Sequence, residues 1–230
     1  MVASSEATAR DLRFYFPQCA ERLRVVHLGV DPEFKPGRPE EIARTRAEFD
    51  APDGFLFFAG TLEPRKGVDT LLDAWEALRR EDPATPPLIL AGPYGWRSPQ
   101  LLRRMARLEP LGVRYLGRVE RGRLLQLFQA ARLFVYPSIY EGFGLPPVEA
   151  LACGVPVVAC DAASLPEVVG EAGVLVEPRD AGALAVAIRQ LLADRAREAE
   201  LRRLAVEQAA RFSWERAAAE MENVFEEALA

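Results

Sequence analysis

The sequence predicts an α/β protein, a doubly wound and mainly parallel sheet with helices on both faces, followed by a helical carboxyl-terminal tail. Two observations predict it. From Phe55 to Val176, short apolar runs of strand length alternate with segments whose apolar residues recur at helical spacing. Each run is too short for a helix and too continuous for a strand with one wet face, as expected of strands covered on both sides. The second observation is the stretch Leu133 to Ala159. It reads as strand, glycine loop, helix opening at Pro146-Pro147, Gly154 as helix stop, and strand again.

Taken in order, Ser5–Tyr15 reads as a short helix and Arg24–Leu28 as a short strand ending at Gly29. Residues 31–39 have the Pro, Gly and charge content of a linker, and Glu40–Phe49 is a weak helix. The regular part begins with strand Phe55–Gly60. Helix Val68–Arg80 follows, its Val68, Leu71, Leu72, Trp75 and Leu78 forming one apolar stripe. Strand Leu88–Gly92, helix Ser98–Leu108, strand Val113–Gly117, helix Arg121–Ala130 and strand Leu133–Tyr136 come next. After helix Pro147–Ala152 and strand Val155–Ala159, Leu165–Val169 is a helical turn and Gly173–Val176 a last strand. The tail, Ala181–Ala193, Ala196–Arg211 and Trp214–Leu229, is helical by composition, with Ser213 as N-cap of its final helix. No internal repeat or low-complexity tract is visible.

Composition narrows the function classes. Half of the 230 residues are hydrophobic and 27% are charged, enough for a sizeable core. A net charge of −5 argues against general nucleic-acid or membrane-surface binding. No apolar run is long enough to span a bilayer and no signal peptide is recognised, so a cytoplasmic protein is expected. Cys19, Cys153 and Cys160 lack metal-ligand spacing and read as reduced thiols. His27 is the only histidine, which nearly excludes a Ser–His–Asp hydrolase or a multi-histidine metal site. Lys35 and Lys66 are the only lysines among 29 basic residues.

Ligands of doubly wound sheets bind outside the carboxyl ends of the strands. One loop at that edge, Gly60-Thr61-Leu62-Glu63-Pro64-Arg65-Lys66-Gly67, brings a guanidinium and an ammonium suited to clamping a diphosphate. Adjacent basic residues can also be merely solvated; the placement and a second anion-holding loop favour the clamp. That second loop is Glu141-Gly142-Phe143-Gly144-Leu145. Its outward backbone amides lie at the positive end of a helix dipole. Glycines 142 and 144 suit either a tight turn or close approach of a ligand. Glu141 in the loop and Glu149 in the first helical turn are eight residues apart and can face one cleft, where acids would serve sugar hydroxyls. Glu149 in that turn also suits the helix dipole on its own. Gly117-Arg118-Val119 either reads a nucleobase edge or is a plain turn. A glycosidase carboxylate pair is the weaker alternative, because it leaves both anion-holding loops without a purpose.

On these residues the chain resembles the donor-binding, carboxyl-terminal half of GT-B fold retaining glycosyltransferases of family 4 (group 1). The resemblance covers about residues 55–215. It rests on Ala59–Gly67, on Glu141–Pro146 with Glu149-Ala150, and on Gly154-Val155-Pro156-Val157-Val158. Leu165–Val169 and Phe212-Ser213-Trp214-Glu215 add to it. The resemblance implies a Rossmann-like domain over residues 51–212 and a crossover helix at 213–230. Residues 1–50 are then the remnant of an amino-terminal acceptor domain plus linker, and His27 lies outside the family's active-site histidine position.

The resemblance also implies a nucleotide-sugar ligand. Gly60 and Thr61 line its site. Arg65, Lys66 and the amides of Phe143, Gly144 and Leu145 hold the diphosphate, and Gly142 is a further donor-binding position. Glu141 takes hydroxyls of the transferred sugar, Glu149 the ribose, and Arg118 and Val119 the base. Arg65, Lys66 and Glu141 are the expected catalytic set, with no metal or other cofactor. The Glu-Pro-Arg-Lys form of the first loop makes GDP-mannose the leading donor. The expected partner is an amino-terminal acceptor domain, in cis or trans, which would also supply any membrane association. Without it the chain is expected to bind donor and transfer inefficiently; a non-catalytic nucleotide-sugar-binding module supporting a partner chain is the alternative.

Overall fold

The protein is described by a computed structural model covering residues 1–96 and 99–229. Two parallel strands, β1 (Val2–Ala3) and β2 (Arg24–Val25), form a small separate sheet joined by helix α1 (Glu6–Tyr15). Helix α2 (Pro39–Ala47) leads into the main sheet. Its strands are β3 (Leu56–Ala59), β4 (Leu88–Ala91), β5 (Val113–Tyr115), β6 (Leu133–Tyr136), β7 (Val157–Cys160) and β8 (Gly173–Val176). Helices α3 (Val68–Glu81), α4 (Pro99–Leu108), α5 (Arg121–Ala130), α6 (Leu145–Ala152) and α7 (Leu165–Val169) connect them. The tail carries α8 (Ala181–Ala193), α9 (Arg195–Ala209) and α10 (Trp214–Leu229). Residues 137–144 therefore form the loop between β6 and α6, where the sequence predicts a glycine loop. Ser98 of the expected fourth helix lies outside the described residues.

The six strands run parallel in the order β5-β4-β3-β6-β7-β8. This is the Rossmann-like order, with the direction of winding reversing between β3 and β6. Right-handed crossovers then put α3 and α4 on one face and α5, α6 and α7 on the other. β3, β4, β6 and β7 are buried along their whole length, which is why their sequences are continuous apolar runs without alternation. The core contains Trp75 and an aromatic file, Phe55, Phe57, Phe128 and Phe134.

Residues 31–39 are not the free linker their composition suggests. Phe34 is buried against Phe128, Gln129 Nε2 donates to Lys35 O at 2.9 Å, and the α2 residue Arg46 donates to Ala130 O at 2.9 Å. Val30 N donates to Phe212 O at 3.0 Å, so the chain enters this fold beside the start of α10. Ser213 caps that helix through Arg216 N at 3.1 Å, as expected. The strand at Val155–Ala159 is shifted to Val157–Cys160, because Pro156 has no N–H and contributes only its carbonyl, which accepts from Phe134. A second buried feature holds the far end of the sheet: Arg132 and Glu198 pair at 3.0 Å, both nearly inaccessible.

Candidate functional site

The winding reversal opens a crevice between the carboxyl ends of β3 and β6, and two loops meet there. After β3, Pro64–Lys66 forms one tight turn that ends at Gly67. Gly67 has φ +66°, and a Cβ there would stand 2.1 Å from Pro137 O. Only glycine allows this approach, which draws the loop after β3 onto the loop after β6. Ile139 N then donates to Arg65 O at 2.8 Å. The loops are clasped by main-chain bonds before any charge is counted.

The clasp delivers Lys66 and Arg65 onto Glu141. Lys66 Nζ lies 2.6 Å from Glu141 Oε1 and 2.6 Å from the Tyr136 hydroxyl. Tyr136 and Ser138 also reach Glu141 Oε1, at 3.0 and 2.6 Å. Arg65 Nη1 lies 3.0 Å from Glu141 Oε2, and Arg65 Nε lies 2.7 Å from Glu63. Two cations thus face two carboxylates, and the cluster is charge-neutral when no ligand is bound. Burial alone would raise the Glu141 carboxyl, but hydrogen bonds from Lys66, Ser138 and Arg65, with the Lys66 charge, outweigh it and hold it below the usual value. Burial pulls the Lys66 ammonium down despite the same partner.

Helix α6 supplies the other half. Gly144, at φ +108°, opens it, with Pro146 in the first turn, where a missing N–H costs nothing. Among the described residues, the amides of Phe143, Gly144 and Leu145 donate to no protein acceptor, so the helix presents unpaired N–H groups. The Phe143 side chain turns inward, packed against His27 and Phe212, leaving its backbone as the part available to a ligand. Gly142 is exposed and adopts no positive φ; it keeps the surface open and does not shape the turn. The Ser164 hydroxyl, 2.6 Å from Phe143 O and 3.0 Å from Glu141 O, pins this loop from beneath. Ser4 and Thr8 hydroxyls each reach Gly142 O at 3.2 Å, so the amino-terminal segment braces the loop from outside.

Beside this crevice, a cleft of about 250 Å³ is lined by Gly60, Thr61, Gly92, Arg118, Val119 and Glu149. The structure thus gathers the expected base, ribose and glycine positions around one hollow, and gathers Arg65, Lys66 and Glu141 into one ion cluster. Lys66 and Glu141 do not line the hollow, so Glu141 and Glu149 do not share one wall. A larger hollow of about 470 Å³ opens at the opposite edge of the sheet, around Arg79, Pro87 and Gly112. Its Arg79 is committed to main-chain carbonyls, including Leu111 O at 2.8 Å.

Glu149 is the one strongly shifted acid of the cleft. Burial raises its carboxyl to about 7; nearby Arg121 opposes the shift and Asp31 adds to it. The folded state therefore holds this proton more tightly than the unfolded chain does. Stability is greatest below the unfolded value of about 4.5 and falls as pH rises through 7. Replacing Glu149 by Gln removes that ionisation. The variant is expected to exceed wild type by about 2 kcal/mol at pH 8, allowing for partial exposure, and to match it at pH 4. Urea unfolding at the two pH values measures this; a difference independent of pH would contradict the assignment.

Sequence reasoning missed Tyr136, Ser138, Glu63 and Ser164. Tyr136 ends an apolar run and reads as core. The one local hint is a serine two residues later, just before the acidic loop.

Residues 54–194 match the family described as glycosyl transferases group 1. The O-antigen chain mannosyltransferase B of Escherichia coli is 39% identical over 214 residues, covering 92% of this chain and 56% of that protein. Among solved structures, Anabaena Alr3699/HepE in complex with UDP and glucose superimposes with a TM-score of 0.81 at 26% identity, over 100% of this chain and 62% of that one. The sucrose-phosphate synthase of Thermosynechococcus elongatus gives a TM-score of 0.82 at 28% identity, over 99% and 58%. The chain thus spans a little over half the length of these relatives.

Proposed function

The chain belongs to the group 1 glycosyl transferases, and from that premise we propose that it is the donor-binding domain of a retaining glycosyltransferase, taking a nucleoside-diphosphate sugar at the crevice between β3 and β6. One observation carries this reading. Arg65, Lys66 and the unpaired amides of α6 converge beside a cleft lined by Gly60, Thr61, Arg118, Val119 and Glu149. In this reading the base and ribose fill the cleft, the ribose on Glu149 and the base against Arg118 and Val119. The diphosphate lies between Arg65, Lys66 and the amides from Phe143 to Leu145, and Glu141 faces the sugar. The relatives lend support: one solved neighbour was crystallised with UDP and glucose, and one curated relative is a mannosyltransferase. GDP-mannose remains the leading donor.

The chemistry follows from charge. As the glycosidic bond breaks, positive charge grows on the anomeric carbon and negative charge on the departing diphosphate. Fixed donors aimed at that diphosphate can each lower the barrier by roughly 2.7–4 kcal/mol. Because the cluster is neutral at rest, the incoming diphosphate competes with Glu141 and Glu63 for Arg65, while Lys66 meets it with an N–H that neither Glu141 nor Tyr136 takes. Release of Arg65 from Glu141 Oε2 would free that oxygen for a sugar hydroxyl. Retention follows if the acceptor attacks from the face the diphosphate leaves, with Lys66 and the helix end doing the work of a metal ion.

The acceptor site is assigned to an amino-terminal half such as the longer relatives possess. The exposed Phe14, Tyr15 and Phe16 at the end of α1, and Trp214 and Phe225 on α10, support a further apolar contact. The expected result is donor binding without turnover by this chain alone. A chimera carrying the amino-terminal half of the E. coli mannosyltransferase should release nucleoside diphosphate from donor in the presence of an acceptor glycolipid. Efficient turnover by the chain alone would overturn the division of labour. Among the described residues, no helix is long and apolar enough to cross a membrane.

A further inference from the structure

We infer that Tyr136 is a positioning residue for the diphosphate, acting through Lys66: its hydroxyl fixes the orientation of the ammonium. The inference rests on the donor-site reading above and adds to it a residue that contacts no ligand.

The ring of Tyr136 is wholly buried at the end of β6, stacked on Phe58 and Phe134 at 5.8 and 5.6 Å. Phenylalanine would fill that space equally well. A hydroxyl buried there is costly unless it is bonded, so its presence points to the bonds it makes. Those bonds have one possible direction. An ammonium only donates and an ionised carboxylate only accepts. Tyr136 therefore accepts from Lys66 Nζ at 2.6 Å and donates to Glu141 Oε1 at 3.0 Å. Burial, reinforced by the Glu141 charge, keeps the phenol protonated for this donation.

The triangle commits two of the three Lys66 N–H bonds, one to Tyr136 and one to Glu141. Among the described residues the third has no protein acceptor. Two anchors fix the place of Nζ at the end of a flexible stem, and one N–H is then held toward an incoming phosphate oxygen. With Glu141 as sole anchor, Nζ swings about that carboxylate and loses the aim.

The test is calorimetric titration of wild type, Tyr136→Phe, Lys66→Met and the double variant with nucleoside diphosphate and with the matching nucleoside. Tyr136→Phe keeps the ring and is expected to weaken the diphosphate by about tenfold while leaving the nucleoside unchanged. In the Lys66→Met background the same change should alter diphosphate affinity by less than about twofold, since the group being positioned is gone. Equal loss for both ligands, an additive double variant, or no loss would each overturn the Tyr136 assignment with the donor site intact. Failure of wild type to bind any of the GDP, UDP, ADP and dTDP probes would overturn the donor reading, and this inference with it.

Discussion

Glu141→Ala is expected to lower the stability of the fold by about 3–5 kcal/mol, more than an exposed loop acid could. Glu141 is the main counter-charge of a nearly inaccessible ammonium, 2.6 Å away, and receives Arg65, Ser138 and Tyr136 as well. Its removal leaves Lys66 buried and charged with only a phenol for company. The pH dependence carries the signature. In the variant the folded-state value of Lys66 falls further below its unfolded value near 10.5. The folded state then binds fewer protons than the unfolded one, so the deficit should narrow as pH rises toward 10. Glu141→Gln, which keeps an acceptor for Lys66 and Tyr136, should lose less than Glu141→Ala. Denaturant unfolding at pH 7 and 9.5 checks both points. A loss below about 1 kcal/mol would mean that solvent screens the pair.

Much of this fold was legible because its strands are covered on both faces. Phe55–Ala59, Leu88–Ala91 and Leu133–Tyr136 can be nothing polar, and length alone separates them from helices. β1 was not legible: Val2–Ala3 is a two-residue strand whose partner, Arg24–Val25, lies beyond an intervening helix. The segment around Phe34 carries the proline and charge of a free linker. One buried ring and one side-chain-to-backbone bond fix it to α5, and composition cannot display such contacts.

The site divides the same way. The glycines and cations at the carboxyl edge of the sheet stand out in the sequence because the strand pattern says where that edge is. The bond between Lys66 and Glu141 joins residues 75 apart and follows only once β3 and β6 are neighbours. Tyr136 was hidden more thoroughly, since the apolar run that marks β6 makes its last residue read as core. Its ring is core; its hydroxyl is not. Glu141 reads from the sequence as a loop acid for sugar hydroxyls; its bonds to Lys66, Arg65, Ser138 and Tyr136 follow only from the fold.

The second large effect belongs to Lys66. If its free N–H meets a phosphate oxygen, Lys66→Ala removes a desolvated charge from the diphosphate and nothing from the base or ribose. The expected loss is at least about thirtyfold for nucleoside diphosphate, with nucleoside affinity unchanged. Arg65, Ser138 and Tyr136 remain to hold Glu141, so the variant should stay folded. Calorimetric titration of wild type and Lys66→Ala with GDP, UDP, ADP and dTDP, and with the nucleoside of whichever binds, tests the central claim most directly. The account predicts that one base is preferred by wild type, and that the variant loses the diphosphate contribution alone. No binding of any diphosphate to wild type, or equal loss of diphosphate and nucleoside in the variant, would contradict it.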